Sequence, residues 1–443
     1  MTRRGIQRRA VEAVVWGMPA VNFDLMYQAT LKAKAGFNQI VYWSRLPSWK
    51  NQTLTPNPDA IYLMPFINTK DVGPIVLEIP PADDGSITGS IDDCWQTALE
   101  DVGPAGLDKG KGGKYLILPP GYTGKAPNGY LALGSETFEG FAILRSNLKS
   151  ESDADIAKAV QYGKRVKLYP LAQAAHPPDT VFVDVLDIDY DSTIPYDGRF
   201  FQSLDRIVQN EPWLERDKAM IDQLKSIGIE QGKRFSPDPA TQEILKQSAG
   251  EAHQWLNALY EADFNSPYNQ GSHWAVPVSP ETIEGLQTHF AKPDSYPIDG
   301  RGATYSMGFF SAKHLGTGQF YLMAINDKDG KPLDGGSAYR LVVPANAPVG
   351  LYWSATLYDK STHAFIRDAP WFSRSSHTPG LQKNADGSVD IYFGPKAPTA
   401  RESNWIPANA GGSFEVLFRF YGPQKPLFDK TWKLPDIEKI QNR

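Results

Sequence analysis

The fold is decided between Asp386 and Pro435, where the chain reads DGSVDIYFGPKAP (386–398), ESNWIPA (402–408), GGSFEVLFRFYGP (411–423) and TWKLP (431–435). Two of these segments alternate apolar and polar residues as β-strands do, Val389–Phe393 and Phe414–Phe420. They flank a rigid Asn404-Trp405-Ile406-Pro407 corner. We expect Trp405 to close the end of a sandwich while Asn404 bonds to the backbone. The pattern predicts a β-rich C-terminal region with a tied-down tail.

Strand-like alternation also occurs in two larger zones. The first zone, from Tyr42 to about Asn147, predicts strands at Ala60–Ile67, Ile75–Ile79, Ser86–Ile91, Tyr115–Leu118 and Phe141–Leu144. The second zone begins near Tyr305 and predicts further strands at Gln319–Ile325, Ala338–Val343 and Leu351–Tyr358. Short strands cut by proline and glycine at this spacing favour an antiparallel sandwich in the first zone. In the second zone they favour another sandwich or a jelly roll.

Helical periodicity marks two other parts of the chain. Residues 5 to about 34 predict a helix pair interrupted at Gly17-Met18-Pro19. Residues 150 to 290 predict a mostly helical region, with Ser152 or Asp153 as the first cap and helices over 200–227 and 241–260. The fold class is therefore mainly β with a helical insert (α+β). We expect a helix pair at 1–40, a sandwich at 41–195, a helical subdomain at 196–290 and a C-terminal domain at 291–443.

Composition limits the classes of partner. The chain has 443 residues, of which 41% are hydrophobic and 21% charged, and its net charge of -5 provides no basic field. Nucleic acid and an anionic membrane surface are therefore rejected as partners. No apolar run approaches the roughly 18 residues that span a bilayer. The sequence favours an ordinary soluble globular protein of two or three domains with no membrane insertion.

Signatures of metal and nucleophile chemistry are missing. The single cysteine, Cys94, excludes an internal disulfide framework, and its acidic neighbours Asp92 and Asp93 favour a buried, inert thiol. G-x-S-x-G, H-E-x-x-H and C-x-x-C do not occur, and the seven histidines are scattered. The Gly106–Lys114 stretch lacks the hydroxyl residue and the following helix of a phosphate loop. We expect no metal and no cofactor, although ligands from distant segments can converge.

Several short motifs resemble a known bacterial family. WGMP (16–19), TPNPDAIY (55–62), LPPGY (118–122) and LRSN (144–147) are similar to domain of unknown function 1254. The DGSVDIYFGP, SNWIP, FRFYGP and TWKLP elements are similar to its usual companion, domain of unknown function 1214. The resemblance covers nearly the whole chain. It implies an immunoglobulin-like sandwich, a helical insert and a jelly-roll domain. It also favours a periplasmic or secreted location, although this chain shows no signal peptide.

The strongest candidate for chemistry is Asn57-Pro58-Asp59 with Tyr62. Prolines on both sides of Asn57 stiffen the approach to the next strand, which would hold the Asp59 carboxylate in a fixed geometry as a base or ligand anchor. The alternative is an ordinary turn whose Asn and Asp side chains satisfy local backbone groups. Arg145 closes a strand of the same zone. It would pair with Asp59, clamp a substrate carboxylate or brace the domain through an ion pair.

Candidate substrate-binding residues lie in two further segments. Trp95, Glu100 and Asp101 would form an aromatic platform beside carboxylates, or else Trp95 belongs to the core and Glu100 to a solvated edge. Arg301 and Tyr305 precede a strand of the C-terminal zone and would face the N-terminal domain. Together with Asn57, these residues complete the predicted site.

Two classes of function remain open from the sequence. The first is a metal-independent hydrolase or lyase for a small polar organic substrate, with Asp59 as base, Tyr62 as proton relay and Arg145 binding an anionic group. The second is a non-catalytic protein that binds a carbohydrate or other small molecule, favoured by 11 Trp, 20 Tyr and 21 Phe. A structural homo-oligomer is compatible with the fold but has no sequence signal of its own.

Overall fold

The computed structural model describes residues 2–308, 312–314, 316 and 318–441. The first half consists of a long helix, a series of strands and one short helix. In chain order these are α1 (Arg3–Lys32), β1 (Gln39–Tyr42), β2 (Asn51–Gln52), β3 (Ile61–Asn68), β4 (Ile75–Ile79), β5 (Ile87–Asp93), β6 (Ala98–Val102), β7 (Gly113–Leu118), β8 (Leu131–Gly134), β9 (Glu139–Ser146), α2 (Asp153–Gly163), β10 (Lys167–Pro170), β11 (Phe182–Asp184) and β12 (Tyr190–Asp191).

The second half continues with a helical region followed by a region of strands. The helices are α3 (Gly198–Asn210), α4 (Lys218–Leu224), α5 (Pro239–Asp263), α6 (Pro280–Thr288) and α7 (Ile298–Met307). The remaining elements are β13 (Gln319–Ala324), β14 (Ala338–Val343), β15 (Trp353–Asp359), β16 (Ser373–Ser375), β17 (Val389–Gly394), β18 (Trp405–Pro407), β19 (Phe414–Tyr421), α8 (Lys425–Phe428) and β20 (Glu438–Ile440). The predicted fold class, strand-rich with a helical middle region, is confirmed.

The N-terminal region is layered. One sheet has the strand order β11-β1-β3-β9-β5-β6 and a second has the order β10-β4-β7-β8. Apolar side chains of both sheets share one core, as those of Leu63, Leu77 and Ile117 show. The opposite face of the first sheet packs on α1, where Met64 and Ile143 join a core with Val14. Because both faces of this sheet are covered, β3 and β9 are buried along almost their whole length.

The predicted N-terminal helix pair is a single helix. Helix α1 runs through Gly17 and Pro19 without a break. A proline inside a helix removes one backbone hydrogen bond, which favours an interruption when the sequence is considered alone. Here the residues around Pro19 are buried on all sides against the sheet and the other helices. The free energy gained by this packing offsets the lost bond, and the Pro19 carbonyl accepts a hydrogen bond from Gln96 Nε2 at 2.9 Å.

In the middle region, some helices begin and end at other residues than predicted. Ser152 caps α2 as expected, with its side chain accepting from the Asp155 N–H. The expected helix over 200–227 is split, because α3 ends at Asn210 and α4 begins only at Lys218. The left-handed Gly228 (φ 91°) ends the short turn that follows α4.

The C-terminal region is a sandwich of two sheets, with strand orders β13-β19-β15-β16 and β18-β17-β14-β20. Side chains from both sheets meet in one core that includes Leu341 and Phe418. The Asn404 corner is confirmed as a backbone lock. Its Nδ2 donates to the carbonyls of Gln382 and Asp390, each at 2.8 Å, and its Oδ1 accepts from the Gln382 N–H at 2.8 Å. Trp405 Nε1 donates to the Gly394 carbonyl at 2.9 Å.

Two further predictions concern the burial of Cys94 and the presence of helices that could cross a membrane. Cys94 is fully buried, as expected, and burial raises the pKa of its thiol well above the ordinary value. Among the helices that the structure describes, none combines the length and the apolar character needed to cross a membrane.

Candidate functional site

A cavity of about 340 Å³ lies where the N-terminal sheet, helices α6 and α7, and the C-terminal strands β13 and β19 meet. Its volume falls in the range of small-molecule sites in proteins. The N-terminal sheet contributes Tyr62 and Arg145 to the wall, and the C-terminal sheet contributes Tyr321 and Arg419. Both halves of the chain are therefore needed to enclose this space.

Tyr62 and Arg145 form the N-terminal pair. They face each other across the antiparallel strands β3 and β9, and the Arg145 guanidinium lies over the Tyr62 ring, 5.3 Å from its centre. Cross-strand neighbours are held about 5 Å apart by the ladder, which fixes the cation above the ring. The Tyr62 hydroxyl accepts a hydrogen bond from the Asn57 N–H at 2.9 Å. The loop before β3 therefore fixes the position of the ring.

Tyr321 and Arg419 form an equivalent pair in the C-terminal sheet. They face each other across β13 and β19, with the guanidinium 5.5 Å from the ring centre. Arg419 donates to Thr356 Oγ1 at 2.8 Å, the Thr55 carbonyl at 2.9 Å and the Tyr358 hydroxyl at 2.6 Å. These acceptors are all neutral, and within the described residues Arg419 makes no ion pair with a carboxylate.

The two arginines remain charged although they are buried. Burial works against the cation, but the surrounding tyrosines raise the pKa of Arg145, Tyr62 first among them, and that of Arg419, Tyr358 first among them. Tyr321 acts on both guanidinium groups, so the two cations lie in one shared environment. Two guanidinium cations on one wall, shielded from water, give this end of the cavity a positive potential. This end of the cavity is therefore suited to an anion.

The rest of the wall is largely apolar. The contributing side chains come from the segment before α6, from α6 and α7, and from the C-terminal region: Val276, Pro277, Val278, Ile283, Leu286, Met307, Phe320 and Phe428. Phe320 and Phe428 meet edge to face with their ring centres 5.5 Å apart. Apolar walls of this kind bind the hydrocarbon body of a ligand by removing its surface from water.

A second polar group lies on the wall beyond the arginines. Asp101 accepts from Ser90 Oγ at 2.7 Å through Oδ1, and from the N–H of His314 at 2.7 Å through Oδ2. The Nδ1 of His314 also lies 3.0 Å from Asp101 Oδ2. Asp101, Ser90 and His314 all line the cavity.

The predicted catalytic trio is only partly brought together. Tyr62 and Arg145 share the cavity wall, whereas Asp59 is not among its described lining residues. Asp59 Oδ1 instead accepts from Ser373 Oγ at 2.7 Å. Burial, followed by the nearby Glu151, raises the pKa of Asp59 to about 6, while Ser373 and Arg419 act in the opposite direction.

Asn57 joins the two halves of the chain. Its Nδ2 donates to the hydroxyls of Tyr421 at 2.8 Å and Tyr352 at 3.0 Å, and its Oδ1 accepts from the Asp59 N–H at 3.0 Å. The expected local turn bond is therefore present. In addition, the same side chain reaches the C-terminal domain behind the arginine end of the cavity.

None of the predicted substrate-binding residues is among the described residues of the wall. Arg301 and Tyr305, which were predicted to face the N-terminal domain, lie on α7 and contact that domain. Arg301 donates to the Trp95 carbonyl, and Tyr305 donates to the Gln96 carbonyl at 2.8 Å. Trp95 packs in the core beside Trp16, with ring centres 4.7 Å apart. These contacts anchor α7, whose Thr304 and Met307 do line the cavity.

Glu100 stands next to the Asp101–His314 pair. Its Oε1 accepts from the Asp101 N–H at 2.9 Å and lies 3.6 Å from His314 Nδ1. Its Oε2 lies 3.4 Å from Lys313 Nζ. Glu100 is buried but is not part of the described cavity wall, so it adds negative charge behind that end of the cavity without lining it.

The sequence interpretation did not single out Arg419, Tyr321 or His314. Arg419 had one usable signal, because an arginine between Phe418 and Phe420 lies in a mostly apolar strand whose one other charged residue is Glu415. Arginine is almost never fully buried unless its charge has partners. Tyr321 and His314 carried no signal of this kind, since their proximity to Arg419 and Asp101 depends on how the domains meet.

Metal ligands do not cluster in the described part of the chain. No group of three or more His, Cys, Asp and Glu side chains is arranged there to hold an ion.

Comparisons with known proteins support the domain composition and the fold. A family model described as "Protein of unknown function (DUF1254)" matches residues 37–170, and one described as "Protein of unknown function (DUF1214)" matches residues 318–425. No curated protein matches the chain. The crystal structure of the VPA0106 protein from Vibrio parahaemolyticus is 17% identical with a TM-score of 0.60, and the match covers 98% of this chain and 100% of that chain.

A structure of an uncharacterised protein from Burkholderia cenocepacia is 11% identical with a TM-score of 0.42, covering 99% of this chain and 95% of that chain. At 17% identity, the similarity to the Vibrio protein establishes the fold alone.

Proposed function

Since this chain belongs to the family that joins a DUF1254 domain at residues 37–170 to a DUF1214 domain at residues 318–425, we propose that the two domains together bind a small amphipathic organic acid. The carboxylate lies at the Arg145 and Arg419 end of the cavity. The hydrocarbon body lies along the apolar wall. This is the small-molecule binding alternative predicted from the sequence, with an acid in place of a carbohydrate.

The observation that carries the proposal is the pair of buried arginines on one cavity wall. Each is held over a tyrosine ring by a different domain, and Asp101 is the sole carboxylate among the described lining residues. Guanidinium groups match the planar geometry of a carboxylate and bind it through parallel hydrogen bonds. In a space shielded from water, these bonds are stronger than at the surface.

The hydrolase or lyase alternative has less support. It needs a base beside the bound substrate, and Asp59, the predicted base, bonds to Ser373 and is not among the described residues of the wall. A pKa of about 6 would suit a base near neutral pH, but a general base must reach the proton that it removes. Tyr62 and Arg145, which were predicted for the enzyme alternative, line the cavity and contact the ligand in the binding proposal as well.

The test is a binding comparison between an acid and its neutral analogue. Isothermal titration with octanoate and octanamide keeps the hydrocarbon body constant and changes only the charge. We expect the unmodified protein to bind octanoate at least about tenfold more tightly, because an ionic hydrogen bond stabilises more than a neutral one. Equal affinities for the two compounds, or no octanoate binding, would overturn the proposal without any variant having to fold.

Variants then locate the carboxylate. Arg145→Met and Arg419→Met remove the charge at similar side-chain length, and each should weaken octanoate binding by at least about 30-fold while leaving octanamide binding nearly unchanged. Arg374→Met is the matched control, because Arg374 is also a buried arginine and belongs neither to the described cavity wall nor to a helix that forms it. If Arg374→Met weakens octanoate binding as much as the other two, the arginines act through folding alone.

A further inference from the structure

The cavity has a polar group at the end remote from the arginines. The Asp101 side chain receives hydrogen bonds from Ser90 Oγ and from the backbone N–H groups of Lys313 and His314, at 2.7 to 2.9 Å. These donors occupy both of its oxygens as acceptors. The carboxylate thereby fixes the ring of His314 through Nδ1 and leaves Nε2 as the ring nitrogen available to a ligand.

The strand order gives the separation of the two ends. In the first sheet, β9 with Arg145 is followed by β5 and then β6 with Asp101. Arg145 pairs with Thr88, whereas Asp101 pairs with Ser90, two residues further along β5. Two interstrand spacings and two residues of rise place the Cα atoms of Arg145 and Asp101 roughly 12 Å apart. This separation is about the extended length of an eight-carbon acid. The side chains at the two ends can adjust to the difference.

The charges at the two ends are opposite. Asp101 lines the His314 end and Glu100 lies directly behind it, 3.6 Å from His314 Nδ1, whereas the other end has two arginines. A second carboxylate on the ligand would be repelled by Asp101, which lines this end, whereas the charge of Glu100 is offset by Lys313 at 3.4 Å. A hydroxyl has no such cost. It can donate to Nε2 or accept from it, so it pairs with either protonation state of the ring.

We infer that the acid bound in the cavity is bifunctional, with a carboxylate at the arginine end and a hydroxyl about eight carbons away that hydrogen-bonds to His314. This inference rests on the proposed function, because the arginine end must first hold the carboxylate. It names the ligand class as an ω-hydroxy acid with an apolar body, and it makes His314 a specificity-determining residue.

The test compares three acids of similar length by isothermal titration: ω-hydroxyoctanoate, nonanoate and suberate. The first two have the same number of heavy atoms and differ only in a terminal hydroxyl or methyl. We expect ω-hydroxyoctanoate to bind about three- to tenfold more tightly than nonanoate, the range that one hydrogen bond supplies. Suberate should bind more weakly than ω-hydroxyoctanoate because its second carboxylate meets the Asp101 carboxylate.

His314→Ala should abolish the preference for the hydroxyl and leave nonanoate affinity within about twofold, since a half-exposed side chain is removed without disturbing the core. His289→Asn is the control, because His289 lies nearby but is not among the described residues of the wall. Asparagine suits the left-handed backbone at this position (φ 52°) better than alanine does.

The outcomes separate the two proposals. Tight binding of nonanoate without a gain from the hydroxyl would overturn the inference while leaving the proposed function intact. A hydroxyl preference that survives in His314→Ala would also overturn it. Failure of all three acids to bind would overturn the proposed function itself.

Discussion

Asp59 is a buried carboxyl whose protonation should affect stability. Its pKa is raised from 3.8 to about 6, first by burial, so the folded protein holds this proton more tightly than the unfolded chain. Stability therefore falls as the pH rises from about 4 to 6, and the full penalty remains at higher pH. Asp59→Asn keeps an acceptor for Ser373 and removes the charge. We expect the variant to match the unmodified protein near pH 4 and to be more stable at pH 8, by roughly 1–3 kcal/mol.

Thermal melts at about pH 4, 6 and 8 measure this difference, and Asp386→Asn is a control of opposite sign. Asp386 is exposed, and its hydrogen bonds with Ser388 lower its pKa. That variant should lose stability at neutral pH and match the unmodified protein in acid. A loss of stability in Asp59→Asn that is the same at every pH would contradict the charge argument and make Asp59 a structural anchor.

At the scale of the element, helices α1, α5 and α7 cross at Gly302. A Cβ on Gly302 would lie 2.9 Å from the Val15 carbonyl oxygen and 2.9 Å from Leu256 Cδ2. The backbone of α1 at Val15 cannot move aside as a side chain can. Gly302→Ala should therefore force α7 outward and destabilise the protein by roughly 1–3 kcal/mol. Because α7 contributes Thr304 and Met307 to the cavity, octanoate affinity should fall as well.

Gly250→Ala is the matched control for this crossing. Gly250 lies inside α5, and a Cβ there would have no atom within 4 Å. The substitution should stabilise the protein by about 0.5–1 kcal/mol, since alanine is the better helix former. Denaturant unfolding measures both variants. A Gly302→Ala protein as stable as Gly250→Ala would show that the helices do not cross closely.

The sequence predicted the elements better than their contacts. Strands Ile75–Ile79 and Ala338–Val343 were predicted with the bounds that the structure has, because alternation and flanking turn residues mark them locally. Whether Arg145 faces Tyr62 or Asp59 depends on strand register. A strand that is buried on both faces lacks the alternation of apolar and polar residues from which its register could be predicted. Likewise, Pro19 looked like an interruption because the packing around α1 comes from distant residues. The half of the site in β13 and β19 depends on how the domains meet, which the sequence does not display.

At the scale of the whole molecule, the loop before β3 joins the two domains. Asn57 donates to Tyr352 and Tyr421, Asp59 accepts from Ser373, and Arg419 donates to the Thr55 carbonyl. All these groups are buried or nearly so, and leaving any of them unpaired is costly. We therefore expect both domains to unfold in one cooperative transition.

Calorimetry tests this expectation, with Asn57→Ala as the probe. The variant leaves two buried tyrosine hydroxyls without their donor and should lower the melting temperature by a few degrees in both domains together. Asn384→Ala is the control, because the Asn384 side chain bonds only to Ser388 within its own loop in the described structure. Two separate heat-absorption peaks in the unmodified protein would contradict the coupling.

The two tyrosine–arginine pairs also bear on inheritance. Each domain supplies one tyrosine–arginine pair to the proposed binding site, so a gene rearrangement that separated the domains would leave each product with a single cation on an open surface. Under the proposed function, exchanging the C-terminal domain would preserve binding only if the incoming strand supplied an arginine at the position of Arg419. The two domains would then be inherited as one unit, even though each has a hydrophobic core of its own.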